Sequence, residues 1–419
     1  MGRFAAVPLF FTVRIACALL LLKLTASALP VGGFTIFVQL SAFGALLNLV
    51  AIGGTQNGLI RQAAAHDAED LARTQGAAFL IWGAAAPLIL FLAVLGRARL
   101  SVILVGNPDQ AGTIILLSLL ALAAGPGQIW CSLLSGRKRV IASLAAQAAG
   151  LLAGTGIACW FILHGNAVAA AIGFASGSLV TMAVAWRLAA PLRIGISSPR
   201  SAAGEVSALL RYSAAIAATT GFSAVTLFGL RSFYRDSFGA TDLGYWLAAN
   251  RISDMSTQFL GLYMLQIFVP HLAMTEGAPA QRRLILRAGA GGAAVMATAF
   301  ITFSIGARPL VHLFLSDAFL PAIPAIRTYM AGDFLRVWAA LAMYTAFARG
   351  RPGRYAGIEI GTYAVMAVLV VVLILSGNAD APQIGYLGAY AITLSVLAIA
   401  WLSRSRSSAV RRSAAVLRP

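Results

Sequence analysis

The sequence predicts an all-α membrane protein of about twelve transmembrane helices in two six-helix, pseudo-symmetric lobes, on three observations. Apolar residues make up 60% of the chain while only 11% are charged, and long stretches carry no charge at all. Basic residues gather in the connections between those stretches. The second half of the chain repeats local features of the first at a near-constant offset.

A helix crossing a hydrocarbon core of about 30 Å needs about 20 mostly apolar residues. Stretches of that kind run over 5–27, 34–54, 77–95, 112–134, 141–163, 167–187, 212–232, 245–270, 287–307, 326–348, 356–376 and 385–403. Gly and Pro recur within and between them, as membrane helices tolerate. The N-terminus, with Arg3, an apolar run and Ala26-Ser27-Ala28, has the outline of a signal peptide. Arg14 and Lys23 interrupt the run, which is also too long for a typical h-region, so it reads as a retained first helix.

A net charge of +18 would in a soluble protein point to nucleic acid. Here it points to topology, because the basic residues sit between spans. With the N-terminus in the cytoplasm, the cytoplasmic connections and tail collect 21 basic residues and the opposite side only Arg97, Arg99, Arg231, Arg235 and Arg308. That bias predicts an inner-membrane protein with both termini cytoplasmic and an even number of helices. The three cysteines, Cys17, Cys131 and Cys159, fall inside apolar spans without metal-ligand spacing and read as packing residues.

Pairing the first span with the seventh, the second with the eighth and so on gives offsets between 207 and 218 residues. Leu104-Val105-Gly106-Asn107 then lines up with Phe314-Leu315-Ser316-Asp317, and Gly136-Arg137-Lys138-Arg139 with Gly350-Arg351-Pro352-Gly353-Arg354. The implied organisation is an N-terminal lobe over 1–190, a cytoplasmic linker over 191–211 containing Ser197-Ser198-Pro199, a C-terminal lobe over 212–403 and a basic tail over 404–419. Parallel repeats of this kind place a substrate site between the halves near mid-membrane, worked by alternating access.

Charges within spans are expensive, about 2.5–3.5 kcal/mol at a helix centre on insertion scales, so each needs a reason. Arg251 with Asp254, and Asp333 with Arg336, are i,i+3 neighbours able to pair locally. The first six spans hold Arg14 and Lys23 and no carboxylate. Nine residues apart, those two point to opposite helix faces. Lys23 lies near the outer end, where it can snorkel, which leaves the deeper Arg14 as the foremost candidate for ligand contact. Glu359 lies one turn inside its span, within reach of Arg354. With Arg327, the buried set is five basic residues against Asp254, Asp333 and Glu359. Such a cavity attracts an anion, and guanidinium forks suit phosphate oxygens. No phosphate-binding loop, paired metal ligands or nucleophile motif appears, and His66, His164, His271 and His312 are scattered. The pattern is that of a transporter without a cofactor, not an enzyme.

Several segments resemble the polysaccharide-specific flippases of the multidrug/oligosaccharidyl-lipid/polysaccharide (MOP) exporter superfamily, in particular the enterobacterial common antigen and O-antigen translocases. These are Arg14-Ile15 and Lys23-Leu24, then Gly54-Thr55-Gln56-Asn57-Gly58 with Arg61 and Ala63. Ile252-Ser253-Asp254, Leu315-Ser316-Asp317-Ala318-Phe319, Gly332-Asp333-Phe334-Leu335-Arg336 and Glu359 follow in order. The chain departs from that group in having only two lysines, Lys23 and Lys138, where relatives use Lys at several Arg positions.

The resemblance implies a flippase for an undecaprenyl-diphosphate-linked oligosaccharide, of O-antigen or common-antigen type, moving from the cytoplasmic to the periplasmic leaflet. It assigns diphosphate contact to Arg14 and Lys23, with Arg251 and Arg336 secondary, and a coupling or structural role to Asp254, Asp333 and Glu359. The partners it implies are the glycan lipid, membrane lipids, a proton or sodium gradient and other polysaccharide assembly proteins, with no nucleic acid. A multidrug exporter of the same superfamily would require an acidic residue in the first lobe. A membrane glycosyltransferase such as an O-antigen polymerase would require a large external loop. The first six spans hold no carboxylate, and no connection on the outer side is long enough to be such a loop.

Overall fold

The computed structural model describes residues 2–52, 54–65, 68–192, 199–264 and 268–416. Of the residues used above, His66, Ser197 and Ser198 lie outside them. The described residues form helices and turns with no strand among them. In hydrocarbon each backbone N–H and C=O needs an internal partner, and a helix provides one within its own segment.

In chain order the helices are α1 (Gly2–Ala28), α2 (Val31–Ala51), α3 (Gln56–Ala65), α4 (Ala68–Val105), α5 (Ala111–Gly136), α6 (Val140–Leu163), α7 (Ala167–Leu188) and α8 (Pro199–Phe238). Then come α9 (Ala240–Tyr263), α10 (Val269–Met274), α11 (Ala278–Ile305), α12 (Ala307–Phe314), α13 (Ile323–Ala348), α14 (Pro352–Leu375) and α15 (Ala381–Val416). Among the described residues nine of these are long and apolar enough to cross a membrane. Three further long helices, α8, α9 and α13, fall short of that apolarity. In α9 and α13 the shortfall comes from the inward polar and charged groups described below.

The chain separates into two compact units. The first comprises Met1–Gly244 and Pro309–Leu320, the second Tyr245–Arg308 and Pro321–Pro419. In the first unit α5 packs against α4 and α7, and α8 lies along α3 and α4. Leu59, Leu71, Ile129, Trp130 and Leu133 form its fully buried centre. The stretch read as a linker is helical from Pro199 onward, continuous with the rest of α8. In the second unit α13 is central, packing on α11, α14 and α15, with Leu260, Phe268, Met296 and Val337 buried together.

The α6–α7 pair is the tightest contact of the first unit. Each helix carries a small-xxx-small pair, Gly150/Gly154 and Gly173/Gly177, on the face turned to the other. A Cβ added at Gly177 would meet Gly150 O and would lie 2.8 Å from Gly154 Cα. Lipid tails are as apolar as leucine, so close backbone packing holds such helices together.

The repeated segments adopt matching local structures. Val105 ends α4 and Gly106, at φ 86°, turns the chain into a short 3-10 helix from Pro108 to Gln110 before α5. Phe314 ends α12, and a 3-10 turn over Asp317–Ala322 leads into α13. The basic turns each use one left-handed residue, Lys138 at φ 60° and Gly350 at φ 67°. One difference is clear. Whereas α4 is continuous through Arg97 and Arg99, which therefore lie within a helix and not in a loop, its counterpart is broken at Gly306 into α11 and α12.

Candidate functional site

In the first unit α1, α2, α5, α6 and α7 line an open cavity of about 320 Å³. Small residues line it, Gly44 and Ala45 on α2, Gly150 on α6, and Ala171, Ala175 and Gly177 on α7, and at Gly44 nothing lies within 4 Å of a built Cβ. Arg14, exposed on α1, lines this cavity and is its one charged group. The other polar lining groups are Ser41 and Asn48 of α2, Gln128 of α5, Gln147 of α6, and Ser178 and Thr181 of α7.

Ser41 Oγ and Asn48 Oδ1 are buried without a hydrogen-bond partner. Unmet polar groups in an apolar setting carry a desolvation cost of about 1–3 kcal/mol each, which a hydroxyl-bearing ligand can relieve by donating to Asn48 Oδ1 and accepting from Ser41 Oγ. Gln147 Nε2 donates to Ser143 Oγ at 3.2 Å, and Gln128 Oε1 accepts from Gln56 Nε2 at 3.3 Å. The latter contact ties the Gly-Thr-Gln-Asn-Gly segment to the cavity wall. These neutral groups were not among the sequence candidates, although a glutamine or asparagine within an apolar span was the available signal.

Lys23 is placed differently. Its ammonium donates to His312 O at 2.5 Å and Leu315 O at 2.9 Å, carbonyls at the C-terminal end of α12. Ser316 Oγ donates to Ala26 O at 2.6 Å beside it. Lysine is well suited to that end, where unsatisfied carbonyls carry partial negative charge. Lys23 does not line the Arg14 cavity. Replacing it with methionine keeps the aliphatic stem and removes the cap. We expect a loss of about 1 kcal/mol, seen as a lower melting midpoint in detergent, with transport per folded molecule unchanged. Loss of transport at equal folded protein would make it a substrate contact instead.

In the second unit Asp333, 1% exposed on α13, anchors a polar network. Its Oδ1 accepts from Tyr386 OH of α15 at 2.6 Å and from Ser253 Oγ of α9 at 2.9 Å, while Oδ2 has no partner. Arg336 Nη1 donates to Tyr386 OH at 3.2 Å and to Thr257 Oγ1 at 3.4 Å. The expected local pairs are therefore not direct. Among the described residues neither Asp333–Arg336 nor Arg251–Asp254 closes a salt bridge. For Asp333 and Arg336 the reason is tertiary: Tyr386 from α15 bonds both carboxylate and guanidinium.

Tyr386 in turn stacks on Tyr329, whose hydroxyl accepts from Trp246 Nε1 at 2.5 Å. Gly332 admits this ring, since a Cβ there would lie 2.6 Å from Tyr386 Cδ1. That contact accounts for a glycine preceding Asp333. Tyr386→Phe removes a donor from a buried carboxylate and an acceptor from Arg336, at a cost of about 1–3 kcal/mol. A melting midpoint equal to that of the parent chain would refute the bridging role.

Two of the remaining candidates lie within electrostatic reach of this network, Glu359 beside Arg336 and Asp254 beside Asp333. Glu359 on α14 has a buried Oε2 without a partner and forms no salt bridge with Arg354, which is exposed. Arg327, counted with the buried set, is exposed and donates to Ser304 O at 2.9 Å, capping the end of α11. Arg251 and Asp254 are half-buried on α9.

The chain as a whole is similar to known proteins. The chain covers 96% of its length on the inward-facing conformation of a multidrug resistance MATE family transporter of the MOP superfamily, with a TM-score of 0.74 and 14% identity over 95% of that chain. The lipid II flippase MurJ in its inward closed conformation also gives a TM-score of 0.74, at 12% identity, covering 94% of this chain and 87% of that one. The fold is that of the MOP-superfamily transporters. In sequence the chain is 23% identical to the lipid III flippase of Escherichia coli (strain K12) over 394 residues, covering 92% of this chain and 94% of that protein. The Shigella flexneri protein of the same name is similar to the same extent. No family model matches the chain.

Proposed function

We propose that this chain is a flippase for an undecaprenyl-diphosphate-linked oligosaccharide, working in the bacterial inner membrane with both termini cytoplasmic. One observation carries the reading: a cavity inside an apolar helical unit whose only charged lining group is an arginine and whose other polar lining groups are hydroxyls and amides. Moving a diphosphate and sugars through hydrocarbon is prohibitive unless the charge is paired and the hydroxyls are hydrogen-bonded. Arginine pairs phosphate oxygens through a fork of donors, while serine, asparagine and glutamine serve sugar hydroxyls. The full-length similarity to the lipid III flippase supports the same substrate class. An exporter of cationic drugs would call for a carboxylate in that wall, and the lining has none.

In this reading Arg14 contacts the diphosphate, and Arg336 and Arg251 serve the second unit. Asp333 and Glu359, each with an unpartnered buried oxygen, are the groups able to carry a coupling proton. Other polysaccharide assembly proteins would supply the substrate and take up the product. Deletion of the gene followed by lipid extraction tests the function. The expected result is accumulation of a full-length polyprenyl-diphosphate repeat unit, reversed by the intact gene; its absence overturns the reading. For coupling, Asp333→Asn and Glu359→Gln should slow transport in reconstituted vesicles. Parent transport that ignores a collapsed proton gradient removes the coupling role.

A further inference from the structure

A second hollow, far larger than the Arg14 cavity, lies wholly within the second unit: a groove of about 760 Å³ formed by α11, α13, α14 and α15. Its wall is apolar, with Ile285 and Leu286 from α11 and Trp338 and Leu341 from α13. Its rim carries four guanidinium groups, those of Arg282, Arg349, Arg351 and Arg354. All four are exposed, and among the described residues none forms a salt bridge. Arg349 has a neutral side-chain partner, Gln281 Oε1 at 3.1 Å.

Four like charges on one rim repel each other and favour an anion. The apolar side continues outward: Leu286 is 53% exposed on α11, and on α15 Val396, one turn before the lining residue Ala400, is 59% exposed. In a membrane those surfaces meet acyl chains. Thr345 is the only hydroxyl among the lining residues, so the groove offers a glycan head little to bond. Arg349 and Arg351 lie between α13 and α14, and Arg282 and Arg354 near the starts of α11 and α14, at the helix ends that the charge bias assigns to the cytoplasmic side.

We propose that this groove binds an anionic phospholipid of the cytoplasmic leaflet, its phosphate held by Arg282, Arg351 and Arg354 and an acyl chain lying along Leu286 and Val396. Basic pockets between membrane helices on the cytoplasmic side suit such headgroups. The site is separate from the Arg14 cavity and does not depend on the identity of the transported substrate.

The test titrates the purified full-length chain in neutral detergent with phosphatidylglycerol or phosphatidylcholine and counts bound lipid by native mass spectrometry. Phosphatidylglycerol should bind tighter, and a paired Arg351→Gln, Arg354→Gln variant should weaken it about 25-fold, taking about fivefold per arginine. The corresponding Lys pair should retain most of the binding, which separates charge from misfolding. An Arg97→Gln, Arg99→Gln control on α4 should bind as the parent does. Equal binding of both lipids, or no effect of the Gln pair, overturns the proposal. So does displacement of phosphatidylglycerol by millimolar inorganic diphosphate, which would mark a site for the phosphate group alone. Glycan-lipid accumulation in deletion cells is independent of this assay, so the proposal and the flippase reading can fail separately.

Discussion

Arg14→Ala should abolish most transport while leaving the fold intact. The residue is exposed at the cavity and among the described residues forms no salt bridge, so its removal opens no hole in packed core. What it removes is the only positive charge on the lining. A hydrogen bond to a charged group contributes about 1.5–3 kcal/mol, so losing one contact predicts roughly a 10- to 150-fold fall in flipping. Arg14→Lys should recover part of it, since the charge remains and the fork does not. The measurement is surface glycan display, or flipping in vesicles, at matched protein level. Parent-like transport by Arg14→Ala would take the diphosphate contact away from this cavity.

The other large effect is expected from Gly177→Leu. A side chain at this position must pass Gly150 O and Gly154 N, the latter 2.8 Å from a built Cβ, and both belong to backbone that has no rotamer to change. Overpacking costs about 1–3 kcal/mol even when side chains can adjust, and here α6 and α7 must separate. We expect Gly177→Leu to leave little monodisperse protein after extraction. Gly177→Ala should lower the melting midpoint and transport together, because Gly177 also lines the Arg14 cavity. Gly156 on α6 provides the control, since nothing lies within 4 Å of a Cβ built there. Gly156→Ala should be neutral or slightly stabilising. A stable, active Gly177→Leu would mean that α6 and α7 do not approach as described.

By itself the sequence determined the helices and the membrane class, because both follow from quantities counted along the chain. Length of apolar run decides whether a helix spans, and the return of glycine and basic turns is what the expectation of a repeat rests on. The same counting marked Arg14 and Asp333, since a charge within an apolar span is visible without coordinates. Only the tertiary structure decided what each charge does. Asp333 and Arg336, three residues apart, looked like a pair, yet Tyr386 from a different helix bridges them. Lys23 and Arg14 share one helix, but the former caps the end of α12 and the latter lines a cavity. The neutral wall of Ser41, Asn48, Gln128 and Gln147 comes from four separate positions on three helices. Spacing along one helix governs which groups share a face. Satisfying a buried polar group depends on what the neighbouring helices bring to that face, and that is settled only when they pack.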